Sequence, residues 1–438
     1  MGWVSRSNPR LVEAIVASFS GSAEQAFDRL SGFTAKDWAS TEFWLDTSGL
    51  ALYFLDHLQW QGASEAVDAI LLRKLQQKSA ENKIRITEML RDFIAINRSF
   101  RDAGIRYANV KGFTLFPSSC PDLSLRHQSD YDFLVDPDHL AASCSLLEQR
   151  GYSLTGCSSR SLEFKTIGLV RTSLDGQYRT ENRRSAELHV AMDCLEFLDQ
   201  PTGPDPLLNR LDRWEWNGEC FPALSAADQF IGQALHIFGH LRNEHTRVSW
   251  LLEYRRHASA RRWDMEFWRL VRTRAVAEPV IPVALGLATW LAGNLFGPFS
   301  SPEFDSWTVD VLPVKIRLWA GCYGRRAVLA DVPGTKLYRL LEDALQSERW
   351  GGSQSNPRRR LIPLRRPDRM LRADPQETLR MRVRREWCEL RFLFFRLRFH
   401  LKQGFRYALE ARRWRRLSTL ADAARQSCSS CGCSPHHE

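Results

Sequence analysis

The chain has 438 residues and a formal net charge of +10, with 44% hydrophobic residues, 15 Trp and 24 Phe. That length and aromatic content exclude wholesale disorder and suffice for two or three domains with substantial cores. The charge is uneven: residues 357–416 hold 20 Arg+Lys against 6 Asp+Glu, so basicity belongs to one segment and does not make the whole molecule a nucleic-acid binder.

The opening MGWVSRSNPR lacks the apolar run of a signal peptide, and Arg6 fills the Ser/Thr position of the myristoylation pattern. A cytoplasmic chain is expected. Residues 1–100 read as a helical region, with apolar spacing in LVEAIVASF and a long helical period from Ala66 to Phe100. The pattern then changes. Ile105–Val110 reads as a strand ending at Lys111-Gly112, and a loop with Pro117 and Pro121 leads to a second strand, Asp130–Val135. The helix after it has Asp136 as cap, Pro137 in its first turn and Gly151 at its end. Tyr152–Leu154, Leu162–Val170 and Ala186–Met192 are further strands of a core over 101–200. From Ser225 the helical period returns in DQFIGQALHIFGHL and VSWLLEYRRHA, giving a helical domain over 205–345.

The uncharged run from Pro279 to Pro302 carries internal prolines and glycines and a short apolar heart, so it reads as a buried helix and not a membrane span. Residues 346–360 have linker composition. The basic, aromatic segment 361–416 reads as an arginine-laced helix. It suits either a buried helix with an arginine face or, over 380–416, peripheral attachment to an anionic membrane surface or polyanion. The tail 417–438 is expected to be disordered. Its Cys428, Cys431, Cys433, His436 and His437 are zinc-ligand types, crowded too closely for a structural site. The ten cysteines are otherwise scattered, as in a reduced chain. The expected fold class is α+β, a small mixed sheet flanked by N- and C-terminal helical regions.

The chemistry concentrates in RHQSDYDFLV, residues 126–135. Alternation along a strand turns Asp130 and Asp132 to one face, where two like charges repel unless a cation or proton lies between them. The later strand AELHV offers Glu187, with His189 on the same face. Three such carboxylates suit Mg²⁺ or Mn²⁺. A calcium site, or aspartates that satisfy backbone donors, are the competing readings. His236 and His240, at i and i+4, fit helix contacts or the rim of an active site. No GxSxG, GxxxxGK or GxGxxG occurs.

These residues resemble a known family. VKG (110–112), Arg126, DYDFLV (130–135), GY (151–152), ELH (187–189), HIFGH (236–240) and RVSWLLEY (247–254) follow in the order of the bacterial "uncharacterised nucleotidyltransferase" family, part of the DNA polymerase beta-like superfamily. The resemblance implies transfer of a nucleoside monophosphate from an NTP, ATP among them, to an acceptor that the sequence does not identify. It implies that Asp130, Asp132 and Glu187 hold the metal and carry catalysis; by position and charge alone Lys111 and Arg126 meet the triphosphate, with Gly112, which permits close backbone approach, and Ser129 beside them. Two residues depart from the pattern. Phe113 follows the glycine where a small residue is usual, which favours the alternative of a catalytically inactive accessory protein, and Glu253 replaces an aspartate.

Overall fold

In a computed structural model of the protein, residues 7–158, 160–166, 177–180, 184–190, 205–348 and 378–430 are described, the last seven for their backbone alone. The chain forms two compact units, residues 1–240 with 246–311, and residues 241–245 with 312–438.

The first unit opens with helices α1 (Pro9–Ser18), α2 (Ala23–Leu30), α3 (Ala35–Ser48), α4 (Ala51–Gln61) and the long α5 (Ala69–Asp102). The caps follow from the sequence. Asn8 accepts hydrogen bonds from Arg10 and Leu11, Ser22 and Thr34 form capping boxes, and Asp68 accepts from Ile70 and Leu71. Next come β1 (Tyr107–Val110), β2 (Asp130–Val135), α6 (Leu140–Gln149), β3 (Tyr152–Cys157), β4 (Ser161–Thr166) and β5 (Ser185–His189). The hairpin β6 (Leu211–Trp216) and β7 (Glu219–Leu224) completes the sheet, and α7 (Ala226–Leu241), α8 (Val248–Ala260), α9 (Met265–Val276), α10 (Val280–Phe296) and α11 (Pro302–Trp307) follow.

The seven strands lie in the order β3-β4-β5-β2-β1-β7-β6. β2 is central, antiparallel to β1 and parallel to β5. Alternation then sorts the side chains. Tyr131, Phe133 and Val135 of β2, with Ala186 and Leu188 of β5, pack on Phe93, Ile96 and Phe100 of α5. The opposite face of the same strands carries Asp130, Asp132, Glu187 and His189.

The chain from 205 to 224, expected within a helical domain, instead holds the β6–β7 hairpin. Asn217 and Gly218, both at positive φ (48° and 80°), form its two-residue turn. The uncharged run is α10, whose side chains are mostly buried. No described helix is long and apolar enough to cross a membrane.

In the second unit, α12 (Val314–Trp319) passes through a π-helical turn (Ala320–Gly324) into α13 (Arg325–Val328), and α14 (Tyr338–Ser347) precedes the 52-residue α15 (Leu379–Ser430). The tail expected to be disordered is therefore helical as far as Ser430. The propensity of LSTLADAARQS for helix continues the arginine-rich segment without a breaker. Cys431, Cys433, His436 and His437, most of the linker 346–360, and residues 167–170 and 191–192 of two expected strands lie outside the described residues, as does the side chain of Cys428.

Candidate active site

Register brings the acids together. On parallel β2 and β5, Asp132 pairs with Glu187 and Leu134 with His189, while Val110 of β1 pairs with Asp132 from the other side. Lys111, the next residue after β1, thereby reaches the same place. Among the described residues, one oxygen each from Asp132 and Glu187 and one nitrogen from His189 lie within 4.8 Å of one another. His189 Nε2 is 3.0 Å from Asp132 Oδ1 and 3.7 Å from Glu187 Oε2. A carboxylate only accepts, so Nε2 carries the proton of that hydrogen bond. Lys111 Nζ stands 3.6 Å from Asp132 Oδ1.

Asp130 is not in this trio; His189 holds the place expected for it. It remains on the same strand face, and its carboxyl feels its neighbour. Burial and then the charge of Asp132 push the Asp130 pKa up, against Arg126, Lys111 and Arg247. Burial also opposes ionisation of Asp132, but Lys111, the hydrogen bond and charge of His189, and His236 outweigh it and hold this carboxyl low. Of the two aspartates, Asp132 keeps its negative charge the more firmly.

The turn after β1 is unusual. Lys111 has φ 57° and ψ −155°, a region that side chains rarely occupy, and Gly112 follows at φ 52°. The Lys111 carbonyl accepts from both the backbone N–H and the hydroxyl of Thr114, which fixes the kink. A Cβ on Gly112 would meet Gln128 Nε2 at 2.5 Å, and that amide donates to the Asp130 carbonyl at 2.9 Å. The glycine therefore makes room for Gln128. Phe113, expected to narrow the approach, turns into the core, 1% exposed and 5.0 Å from the Phe93 ring. Ser129 is exposed just before β2, its carbonyl accepting from the Ser185 N–H.

Arg126 is tied down elsewhere. Its Nε donates to Glu253 Oε1 at 3.2 Å, and the same oxygen accepts from the Tyr53 hydroxyl at 2.9 Å. Burial works against the Arg126 charge, and Glu253 more than restores it. Two cations escaped the sequence reading. Arg247, at the N-terminus of α8, acts electrostatically on Asp130 and Arg126 and lies 5.6 Å over the Trp250 ring. Arg85 of α5 is 4% exposed, and its Nη1 has no hydrogen-bond partner among the described residues. Burial lowers its pKa to about 10, and it too feels Asp130. Arg247 stood at the head of RVSWLLEY, whereas a lone arginine in ENKIRITEML carries no signal. His236 and His240 pack on Trp250 at 4.5 and 4.4 Å, and burial holds His236 well below the usual imidazole range.

A central strand bearing paired acids, a partner strand adding a third, and the charges of Lys111 and Arg247 acting on them suit chemistry on phosphates. The model of the uncharacterised nucleotidyltransferase family matches residues 34–297, more than half of the chain. The chain belongs to that family. No curated protein matches it.

Proposed function

We propose that the protein is a divalent-metal-dependent nucleotidyltransferase that moves a nucleoside monophosphate from an NTP, ATP among them, to an acceptor hydroxyl. The observation that carries the reading is the register of Asp132 opposite Glu187 with Lys111 Nζ 3.6 Å from the aspartate. The donor set fits a divalent ion. Oxygen ligands of Mg²⁺ stand at most about 4.2 Å apart across the ion, so atoms within 4.8 Å need only a small side-chain adjustment.

Asp132 and Glu187 would hold the ion, with Asp130 adding a third carboxylate from the same face. When bound, the ion supplies charge neutralisation at the phosphates. Lys111 and Arg247 bind the triphosphate and offset the charge that develops on the departing pyrophosphate, and Arg126, held by Glu253, adds its charge beside them. Gly112 and Ser129 shape the approach of the nucleotide. Glu187, with 29% of its side chain accessible against 7% for Asp132, takes the acceptor's proton. The acceptor oxygen–phosphorus bond forms as the bond between the α-phosphorus and its bridging oxygen breaks. A cytoplasmic setting, where NTPs are plentiful, goes with this reading.

An inactive accessory protein was favoured by the bulk of Phe113, and with that ring in the core no observation favours it. The test uses α-labelled NTPs, Mg²⁺ or Mn²⁺ and a cell extract. Label should appear on an acceptor and be lost with Asp132→Asn and with Glu187→Gln. Failure of the unaltered protein both to transfer label and to bind metal–NTP in calorimetry would overturn the reading.

A further inference from the structure

Among the described residues, helix α15 buries one face and leaves the other exposed. Toward its own unit, Arg326 is bonded to Glu410, the Arg396 guanidinium is 3.1 Å from Glu244, and Trp414 is 6.0 Å from Tyr323. On the outside, Val383, Trp387, Leu390, Phe394, Leu397 and Leu401 recur at alternating spacings of four and three residues. At about 100° per residue this spacing keeps them in one narrow stripe, roughly 28 Å long at a helical rise of about 1.5 Å. They are 47–63% exposed. Phe395, Phe405 and Leu409 widen the stripe, exposed by 45%, 69% and 51%.

The flank of this stripe decides what covers it. Arg384, Arg391 and Arg398 follow one another every seven residues along one edge, and Lys402 and Arg406 continue the row. Between residues 379 and 416 the exposed side chains include eleven Arg or Lys and no Asp or Glu. A second copy packed antiparallel would set these arginine rows against each other. A parallel copy would bring together two helices of the same strong charge. An anionic surface complements both features at once, the apolar stripe and its basic border.

We propose that α15 is an interfacial helix that lays its outer stripe on an anionic lipid bilayer. It lies on the bilayer and does not cross it, since no described helix is long and apolar enough to span. Tryptophan and phenylalanine rings sink to the headgroup boundary, and the arginines reach the lipid phosphates along the edge. The proposal does not depend on the reaction above.

The experiment is co-sedimentation of the full chain with vesicles, without nucleotide. Vesicles of equal parts phosphatidylglycerol and phosphatidylcholine should take up the protein about tenfold more strongly than phosphatidylcholine alone, and added salt should weaken the uptake. Each basic residue near an anionic leaflet contributes about fivefold in affinity. Two variants, Phe394→Glu with Leu397→Glu and Arg384→Glu with Arg391→Glu and Arg398→Glu, should each lower uptake about tenfold or more. These positions are exposed, so circular dichroism should be unchanged. No uptake by the anionic vesicles, or uptake that both variants retain, would overturn the proposal. So would a concentration-dependent dimer in sedimentation velocity that Phe394→Glu with Leu397→Glu dissolves, which would assign the stripe to a second copy.

Discussion

Arg126 and Glu253 make the site's most exacting pair. The carboxylate is 3% exposed and accepts from both the Arg126 guanidinium and the Tyr53 hydroxyl, so neither side chain has water as a ready substitute. Removing one partner leaves the other charged and buried, which costs far more than removing both. Arg126→Met should therefore destabilise the protein by about 3–5 kcal/mol in urea unfolding. The double variant Arg126→Met with Glu253→Gln should recover a large part of that loss. Strictly additive effects would mean that the two are not coupled. The length of the glutamate has a use here: its carboxylate spans from α8 to both Arg126 and Tyr53. Both residues were visible in the sequence as parts of motifs. Their partnership was not, because 127 positions separate them and no local rule joins a loop arginine to a helix glutamate.

At the scale of elements, what was legible is what local chemistry specifies. The bounds of β2 could be read directly, because an alternating acid–apolar run is followed at once by Asp136-Pro137, which cannot continue a strand. The same two residues open the next helix, although its first turn is 3₁₀ (Pro137–His139) before α6 begins. Gathering Asp132, Glu187 and Lys111 required only that alternation hold and that the three strands be neighbours. That His189 stands closer to Asp132 and Glu187 than Asp130 does needed the register itself. The β6–β7 hairpin escaped because Pro222 interrupts its second strand and charged residues break up the apolar alternation of LDRWEW. The signal was nevertheless present: Asn217-Gly218 after a Trp-x-Trp pair whose rings stack at 6.1 Å. Since Gly218 sits at φ 80°, Gly218→Ala should cost about 1 kcal/mol in thermal or urea unfolding, while Asn217→Gly should be nearly neutral. A neutral Gly218→Ala would show that the turn does not need its left-handed backbone.

Across the first unit as a whole, histidines are buried more often than they are paired with acids. Burial pulls the pKa of His127 and of His257 down to about 3, and lowers those of His57 and His236 as well. His257 is 1% exposed and accepts at Nδ1 from the Gln233 amide at 3.1 Å, a bond made by the neutral ring. In each case the folded state resists a proton that the unfolded chain takes up near pH 6.5. Between that value and about 3 the unfolded state therefore binds more protons, and stability must rise with pH there and fall on acidification. Asp130, Asp46, Asp56 and Asp305, raised chiefly by burial, work in the opposite direction, while Asp132, held low by Lys111 and His189, adds to the loss on acidification. The urea midpoint should accordingly drop from pH 7 to pH 5, corresponding to about 1 kcal/mol per pH unit or more. His257→Gln can keep a hydrogen bond to Gln233 without titrating, so it should flatten the slope while changing stability at pH 7 much less. A midpoint that holds steady or rises on acidification would mean that burial does not keep these rings neutral.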